Sequence, residues 1–174
     1  TPYGLMDVLG VRSMEIDGLY DWEENQMTPL SDNCLGMEKT YTCQYLCELI
    51  ELHGAVPVMS YGSDFYQGYP CVTVHEYGKG KAWYVATVAQ KEFYTDFLEK
   101  VIKESSVSCG IEKAIPEALE VTVRENETEK YYIYQNFGTE AVRIPVPEGE
   151  CIWIYGNQEE PLGVYGLAVV KQSK

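Results

Sequence analysis

DFYQGYPCVTVHEYGKGKAWYVAT, residues 64–87, is the stretch that decides how the first half of this chain folds. Side chains on either side of its turn alternate with a period of two, which separates the two faces of a β-sheet. Gly78 and Gly80 supply the reversal, because glycine tolerates the positive φ of a tight turn. The return run AWYVATVA is almost wholly apolar, which favours a central strand buried on both faces. We therefore predict a β-hairpin here.

The residues before the hairpin predict a short helix, two strands and a long loop. Residues 2–11 place their apolar side chains on one helical face, and residues 13–17 alternate polar and apolar side chains like a strand. Residues 20–40 are polar and lack a clear period, so we expect a long loop with one short strand near residues 26–30. Loops of this length in compact domains usually serve a function or contact a partner.

Residues 41–52, YTCQYLCELIEL, fit either a helix or a strand. A helix would align Cys43, Leu46, Cys47 and Ile50 on one stripe. The alternating glutamates and the HGAVPVMSYG that follows favour a strand, a turn and a second strand over residues 55–61. Pro57 lies inside that second strand, which predicts an edge position or a bulge because proline has no N–H to donate.

After the hairpin the sequence changes from helical to strand-like. Residues 90–104 are amphipathic with a helical period, so we predict a helix there. Small residues and Pro116 then make a linker, and we place a domain boundary near residue 113. The remaining strand signals recur at about ten-residue spacing, which is typical of a small antiparallel β-sandwich. Its predicted strands are residues 119–124, 130–136, 141–146, 151–155 and 162–171.

Composition and charge exclude some classes of protein. The chain has 13 basic and 27 acidic residues and a net charge of −14, so it repels phosphate backbones and anionic membranes. Its apolar runs are too short to span a bilayer. The N-terminal TPYGLMDVLGV lacks the basic start and long apolar segment of a secretory signal. We expect a cytoplasmic protein that binds neither nucleic acid nor membrane.

The six cysteines are best explained as buried thiols in a reducing compartment. Cys43 and Cys47 are the only close pair, and their spacing is not a zinc signature by itself. A metal site that includes Cys34 and that pair, or disulfides, are the alternatives.

The residues supply no convincing catalytic, cofactor or metal site. Residues 78–81, GKGK, lie between two strands and lack the spacing of a phosphate-binding loop. His53 falls in a turn, and His75 and Glu76 point to opposite faces of one strand, so neither histidine is poised as a base. Glu48 and Glu51 also fall on opposite faces, unlike the paired carboxylates of glycosidases.

The 15 tyrosines are the remaining signal of function. Tyrosine-rich surfaces suit protein interfaces and sugar stacking alike. We take an interface as the first interpretation and a carbohydrate-binding platform as the second.

Two segments and the tail resemble glycoside hydrolase family 42 β-galactosidases. GLMDVLGVRSMEIDGL, residues 4–19, is similar to one segment of that family, and residues 48–87 are similar to another, with the family's DFYxGxP and GKGK-plus-apolar-strand pattern. Residues 120–171 resemble the small β domain that ends those enzymes. The resemblance covers nearly the whole chain.

The resemblance implies an organisation that the residues alone do not give. Such enzymes combine a catalytic (β/α)₈ barrel, a flavodoxin-like domain that mediates trimer formation, and a C-terminal β domain. Both catalytic glutamates belong to the barrel, and 174 residues are too few to contain it. Residues 1–113 would then be the C-terminal part of a partial flavodoxin-like, three-layer α/β trimerisation domain, and residues 114–174 the all-β domain.

The implied function is subunit assembly without catalysis. The parent enzyme would hydrolyse terminal β-D-galactosides as a homotrimer, with the substrate bound by the barrel that this chain lacks. We expect subunit contacts at Asp64, Phe65, Tyr66 and Tyr69, and in the loop that carries Trp22. The rival hypothesis is a stand-alone module that binds carbohydrate or another protein.

Overall fold

The computed structural model describes residues 4–107, 110–111 and 113–174, and the chain divides into two compact units, residues 1–107 and 108–174. The first unit contains α1 (Met6–Leu9), β1 (Val11–Gly18), β2 (Asn25–Pro29), β3 (Tyr41–Leu52), β4 (Val56–Tyr61), β5 (Pro70–Tyr77), β6 (Gly80–Val85), β7 (Thr87–Ala89) and α2 (Lys91–Glu104). The second contains β8 (Leu119–Glu125), β9 (Glu129–Asn136), β10 (Cys151–Tyr155) and β11 (Leu167–Ser173).

The sheet of the first unit closes on itself. Its path runs β3–β2–β4–β5–β6, and β7 pairs with β3. Strands β6 and β7 are one run of chain interrupted at Ala86, whose N–H donates to the Cys71 carbonyl and whose carbonyl accepts the Glu48 N–H, both at 2.8 Å. The chain of paired strands therefore leads back to β3. The outer strand β1 pairs only with β3. Closure gives Ala86 and β7 a partner on β3, so this part of the run does not remain a free edge.

Apolar side chains fill the inside of this sheet and the space under α2. Cys43, Cys47, Val58, Tyr61 and Cys71 are fully buried or nearly so. Helix α2 covers the same cluster with its apolar stripe, where the Phe93 and Phe97 rings stack at 5.2 Å. Burial of this stripe explains why a 14-residue amphipathic sequence forms a stable helix.

The short helix α1 ends at a glycine that no other residue can replace without strain. Gly10 has φ of +64° and caps the helix through its N–H to the Met6 carbonyl. A Cβ at this position would lie 2.6 Å from the His75 ring and 2.7 Å from the Ala55 nitrogen. The His75 Nδ1 is 2.9 Å from the Val8 carbonyl oxygen, so this histidine holds α1 against β5.

The second unit is a four-stranded antiparallel sheet in the order β10–β11–β9–β8. One face buries Tyr132, Tyr134, Ala168 and Val170, on which the chain near Val142 and Leu162 packs. Buried Asn136 fastens this cover: its Nδ2 donates to the Glu140, Leu162 and Gly163 carbonyls at 2.8–3.1 Å. The opposite face of the sheet carries exposed Ile152 and Ile154.

The strands and helices largely confirm the sequence-based predictions. The hairpin forms as β5 and β6, the helix at residues 90–104 forms as α2, and the ambiguous residues 41–52 form a strand. Of the two alternatives for Pro57, the bulge is correct, because β4 has partners on both sides and its register with β5 shifts after Pro57. Pro2, at the start of the predicted first helix, lies outside the described residues.

Two predicted strands differ in the structure. Residues 141–146 do not form a strand but only an isolated bridge, Val142 to Leu162, because this segment crosses the buried face of the sheet as a cover. The last strand begins at Leu167 and not at residue 162. Gly163 and Gly166 form a turn there, with the Gly166 N–H donating to the Gly163 carbonyl at 2.9 Å.

The chain is mainly antiparallel β-structure. Every strand pair among the described residues is antiparallel, and α2 is the only long helix in that part of the chain. The sequence-based expectation of an α/β unit with flavodoxin-like layering is thus met only as far as its sheet and one covering helix. Parallel pairs need crossover connections of a dozen residues or more. Turns of two or three residues join β3 to β4, β5 to β6 and β8 to β9. None of the helices in the described ranges is long and apolar enough to cross a membrane.

Candidate functional site

Four of the five residues predicted at a subunit contact are exposed on two loops of the first unit. Trp22 lies in the loop between β1 and β2 with 78% of its surface exposed. Asp64, Phe65 and Tyr69 lie in the loop between β4 and β5, where Phe65 is 68% and Tyr69 49% exposed. The fifth residue, Tyr66, is fully buried. Its side chain supports the loop from within and cannot reach another molecule.

Tyr66 fixes the β4–β5 loop to the end of β1. Its hydroxyl donates to Asp17 Oδ2 at 3.0 Å, and its ring meets the Tyr61 and Phe65 rings edge to face at 5.1 and 4.7 Å. Burial, followed by hydrogen bonding to neighbouring groups, raises the pKa of Tyr66 well above its usual value. The phenol therefore stays protonated and remains a donor to Asp17.

The Trp22 side chain is held in a tight turn and stacks on Tyr20. The two rings lie 4.9 Å apart with an angle of 3° between their planes. The turn is closed by the Glu23 N–H, which donates to the Tyr20 carbonyl at 2.8 Å, and by the Tyr20 N–H, which donates to Glu23 Oε2 at 3.0 Å. Gln44 on β3 donates to Glu24 Oε1 at 2.5 Å and ties the turn to the sheet.

Asn25 connects the two loops. Its Nδ2 donates to the Ser63 carbonyl at 3.1 Å, and its Oδ1 accepts from the Ser63 N–H at 3.1 Å and from the Ser63 hydroxyl at 2.8 Å. Asn25 is only 3% exposed, so these bonds are shielded from water. Sequence reasoning missed Asp17 and Asn25, because their partners lie 49 and 38 residues away and leave no local pattern.

Two residues with left-handed backbone conformation border the loops. Tyr45 has φ of 70° at a bulge of β3, and Asp64 has φ of 71°. Such conformations cost side-chain-bearing residues about 1–3 kcal/mol and concentrate at functional positions. Tyr45 is 62% exposed, and its carbonyl accepts the Leu19 N–H at 2.9 Å beside the Trp22 turn. We call the exposed rings of Tyr20, Trp22, Tyr45, Phe65 and Tyr69 the aromatic surface.

A cleft of about 580 Å³ lies between residues 34–41 and α2, and three of its charged residues, Lys39, Asp96 and Lys100, have partners within the protein. Asp96 accepts from Lys39 Nζ at 2.8 Å and from the Tyr41 hydroxyl at 2.7 Å, and these bonds lower the pKa of Asp96. Lys100 Nζ donates to the Gly36 carbonyl at 2.9 Å. These contacts fasten the long loop to α2 and do not form a nucleophile–base pair.

The histidines and cysteines likewise have structural surroundings. His53 Nε2 lies 3.1 Å from Glu51 Oε2 at the exposed end of β3. Cys43, Cys47 and Cys71 are buried free thiols, and burial raises the pKa of the Cys71 thiol. Cys34 is exposed, and Cys109 lies outside the residues that the structure describes. Within the described ranges, no three His, Cys, Asp or Glu side chains gather where they could hold a metal ion.

Comparison with known proteins gives the same two parts of the chain. Residues 1–108 match the family described as the β-galactosidase trimerisation domain, and residues 118–172 match the β-galactosidase C-terminal domain. β-Galactosidase BglY of Alicyclobacillus acidocaldarius is 35% identical over 98% of this chain, which corresponds to 25% of BglY. β-Galactosidase Pbg of Clostridium perfringens is 32% identical over 98% of this chain and 25% of its own length.

Solved structures of β-galactosidases share the fold. The enzyme of Rahnella sp. R3 aligns with 98% of this chain and 25% of its own, with a TM-score of 0.74 and 29% identity. The enzyme of Bacillus circulans sp. alkalophilus aligns with 97% of this chain and 25% of its own, with a TM-score of 0.72 and 23% identity. The present chain thus spans about a quarter of the length of the relatives that it matches.

Proposed function

Because this chain belongs to the glycoside hydrolase family 42 β-galactosidases, whose trimerisation and C-terminal domains it carries, we propose that it acts as the non-catalytic region that assembles such an enzyme. Residues 1–113 form the C-terminal part of a flavodoxin-like trimerisation domain in this proposal, and residues 114–174 form the C-terminal β domain. The match of residues 1–108 to the β-galactosidase trimerisation domain supports the trimerisation part of the first assignment.

The activity of the parent protein is hydrolysis of terminal β-D-galactosides. The named relatives are β-galactosidases, and they are about four times as long as this chain. The catalytic glutamates and the galactoside site then lie in a (β/α)₈ barrel outside the 174 residues, and the reaction uses no cofactor. The buried free thiols support a cytoplasmic location.

The aromatic surface is the contact between subunits of a homotrimer, and its rigid exposed rings are the observation that carries this proposal. Tryptophan and tyrosine are enriched among the residues that dominate binding energy at protein interfaces. Here Trp22 and Phe65 are more than two-thirds exposed, yet hydrogen bonds through Asn25 and Tyr66 hold their loops in place. Loops ordered before association lose less conformational entropy when subunits meet. The contact therefore forms without a folding step.

The mass of the chain in solution, measured by light scattering, tests the proposal. We expect an assembly containing a multiple of three chains, and a drop in mass to about a third in the double variant Trp22→Ala/Phe65→Ala. The matched control is Tyr165→Ala, since Tyr165 is 79% exposed but lies in the second unit. A wild-type monomer, or an unchanged mass in the double variant, would overturn the proposal.

The flat Tyr20–Trp22 stack favours one other candidate function, a carbohydrate-binding module. Parallel exposed rings offer a hydrophobic platform for the apolar face of a pyranose. Retention on a galactose column that is lost in Trp22→Ala, together with a monomeric mass, would favour this candidate over assembly.

A further inference from the structure

A cleft of about 340 Å³ lies in the second unit, between the chain that covers its sheet and the loop that follows β10. The cover contributes residues 143–146, β10 contributes Trp153, and the loop contributes Gln158 and Glu160. Sites for small molecules are clefts of roughly 300–1,000 Å³ with a few placed polar groups. This cleft is therefore large enough to hold a small ligand.

Hydrogen bonds hold the cover in place on one side of the cleft. The Tyr134 hydroxyl donates to the Pro145 carbonyl at 2.9 Å, and Lys113 Nζ donates to the Val146 carbonyl at 2.9 Å. Tyr134 is fully buried, so its bond anchors the cover to the sheet. This wall of the cleft therefore has its shape before a ligand binds.

The loop on the other side of the cleft is ordered as well. Asn157 Oδ1 accepts the Glu159 and Glu160 N–H groups at 3.0 and 2.9 Å, which fixes the backbone that carries Glu160. A Cβ added to Gly156 would lie 3.7 Å from Trp153 Cζ3, so the loop begins directly against the Trp153 ring. A preformed cleft loses less conformational entropy on binding than a flexible one.

Three polar side chains line the cleft without a partner among the described residues. Arg143, Gln158 and Glu160 are exposed, and no group in that part of the chain forms a hydrogen bond or ion pair with their side chains. An arginine only donates hydrogen bonds, a carboxylate only accepts them, and a glutamine amide does both. A ligand that satisfies all three must carry groups that donate and accept, as hydroxyl groups do.

The charges and the aromatic ring narrow the class of ligand further. An anion would pair with Arg143 but would be repelled by Glu160 and by the net charge of −14. Trp153 is half-buried, because it packs on the core of the unit and also lines the cleft. The face of a tryptophan ring suits the apolar face of a pyranose. The lining therefore fits a neutral sugar.

A second cleft adjoins the first. It measures about 240 Å³, shares Ile144 and Glu160 with the first cleft, and adds Tyr155, which is 60% exposed. Glu160 therefore lies between two places for a sugar ring, each of which has an aromatic side chain. A ligand of at least two linked sugar units would use both places. We call the two clefts together the double cleft.

We propose that the double cleft is an oligosaccharide-binding site of the second unit, and that its ligand ends in a β-galactoside. Trp153 packs against one pyranose and Tyr155 against the next, while Arg143 donates to ligand hydroxyls and Glu160 accepts from them. The position of the site and the neutral-sugar chemistry rest on the double cleft. The choice of a β-galactoside rests on the proposed function.

Titration of the 174-residue chain with lactose, followed by NMR, tests the site. The indole N–H signal of Trp153 should shift with lactose, while the signals of Trp22 and Trp83 in the first unit should not. Arg143→Ala should weaken lactose binding about tenfold, because hydrogen bonds to ligand hydroxyls are lost. The matched control is Arg124→Ala, which removes the same charge from an exposed position on β8 and should leave the affinity unchanged.

A second variant and a second sugar keep the proposal falsifiable. Glu160→Gln keeps the size of the side chain and the backbone bond to Asn157, and it should also weaken lactose binding. Glu127→Gln, in an exposed turn, is its control. Circular dichroism establishes that the variants fold, since the replaced side chains are exposed. Galactose alone fills one place of the double cleft and should bind more weakly than lactose.

Three results would overturn the oligosaccharide site. They are a lactose titration that leaves the Trp153 signal unmoved, equal losses of affinity in Arg143→Ala and Arg124→Ala, and galactose that binds as tightly as lactose. A shift confined to Trp22 would place sugar binding on the first unit and would also overturn it. The failure of subunit assembly is distinguishable, because it appears in the mass by light scattering and leaves the lactose titration unchanged.

Discussion

The hydroxyl of buried Tyr66 donates a hydrogen bond to the Asp17 carboxylate, with Oη and Oδ2 3.0 Å apart. Tyr66 belongs to the β4–β5 loop and Asp17 to the end of β1, so one bond joins segments 49 residues apart in sequence. Together with the Asn25–Ser63 bonds, it gives the aromatic surface a fixed shape in the isolated chain. The first prediction follows from this bond.

Replacing Tyr66 with phenylalanine removes the hydroxyl and keeps the buried ring. We expect the free energy of unfolding to fall by about 1.5–3 kcal/mol, because a hydrogen bond to a carboxylate is lost. Urea denaturation measures the change. Tyr69→Phe is the control, because half-exposed Tyr69 in the same loop should lose almost nothing. Equal losses in both variants would show that the Asp17 bond adds no stability.

Tyr41 predicts a dependence of stability on alkaline pH. Burial, then the hydrogen bond to Asp96, raises the pKa of Tyr41 from 10.0 to about 12. A raised folded-state pKa gives stability that is complete below the unfolded pKa and is lost as pH rises through the folded value. The stability gap between wild type and Tyr41→Phe should therefore be constant up to about pH 9 and shrink above about pH 10.

Urea unfolding at several pH values between about 8 and 11 measures that gap. Tyr77→Phe serves as the control, because Tyr77 is 52% exposed and should show no gap at any pH. A stability gap for Tyr41→Phe that widens as the pH rises would have the wrong sign and would contradict the raised pKa of Tyr41 in the folded state.

Gly10 and Gly78 separate the cost of backbone conformation from the cost of steric overlap. Their φ angles are +64° and +61°, but a Cβ would overlap His75 and Ala55 at Gly10 and meet nothing within 4 Å at Gly78. Gly78→Ala should cost about 1–2 kcal/mol for the left-handed conformation. Gly10→Ala should cost roughly 2 kcal/mol more, because α1 or His75 must move. Thermal unfolding of the two variants measures both losses of stability. Equal losses would mean that α1 and His75 move aside without a cost, which would contradict the predicted overlap at Gly10.

Asn136 is expected to be the most sensitive polar residue of the second unit. Its amide donates to three carbonyls and accepts the Gly138 N–H at 2.9 Å, while only 1% of its surface is exposed. Asn136→Ala should lower the free energy of unfolding by about 2–4 kcal/mol, because the four hydrogen bonds of a buried amide that fasten the cover to the sheet are lost. Asn157 accepts two backbone N–H groups in an exposed turn, so Asn157→Ala should cost less than about 1 kcal/mol. A smaller loss for Asn136→Ala than for Asn157→Ala would contradict this role.

The sequence by itself determined most of the strands, the helix α2 and the family. Alternation over residues 70–85 and the amphipathic period of residues 91–104 are local signals, and both elements formed where they were predicted. The exposure of Trp22 and Phe65 agreed with their loop positions. Residues 141–146 show the limit of such signals, because their apolar side chains pack as a cover on a sheet and not within one.

Only the tertiary structure decided how the sheet closes and which side chains face the solvent. Closure at Ala86 depends on the hydrogen bond from the Glu48 N–H, which comes from β3, a strand that no local pattern pairs with the run of β6 and β7. Tyr66 and Phe65 are adjacent aromatic residues in one loop, yet Tyr66 is buried because Asp17 and Tyr61 receive it, and Phe65 is exposed. Periodicity reports the direction of a side chain relative to its own strand. Whether that side chain is buried depends on which residues, often distant in sequence, pack around it.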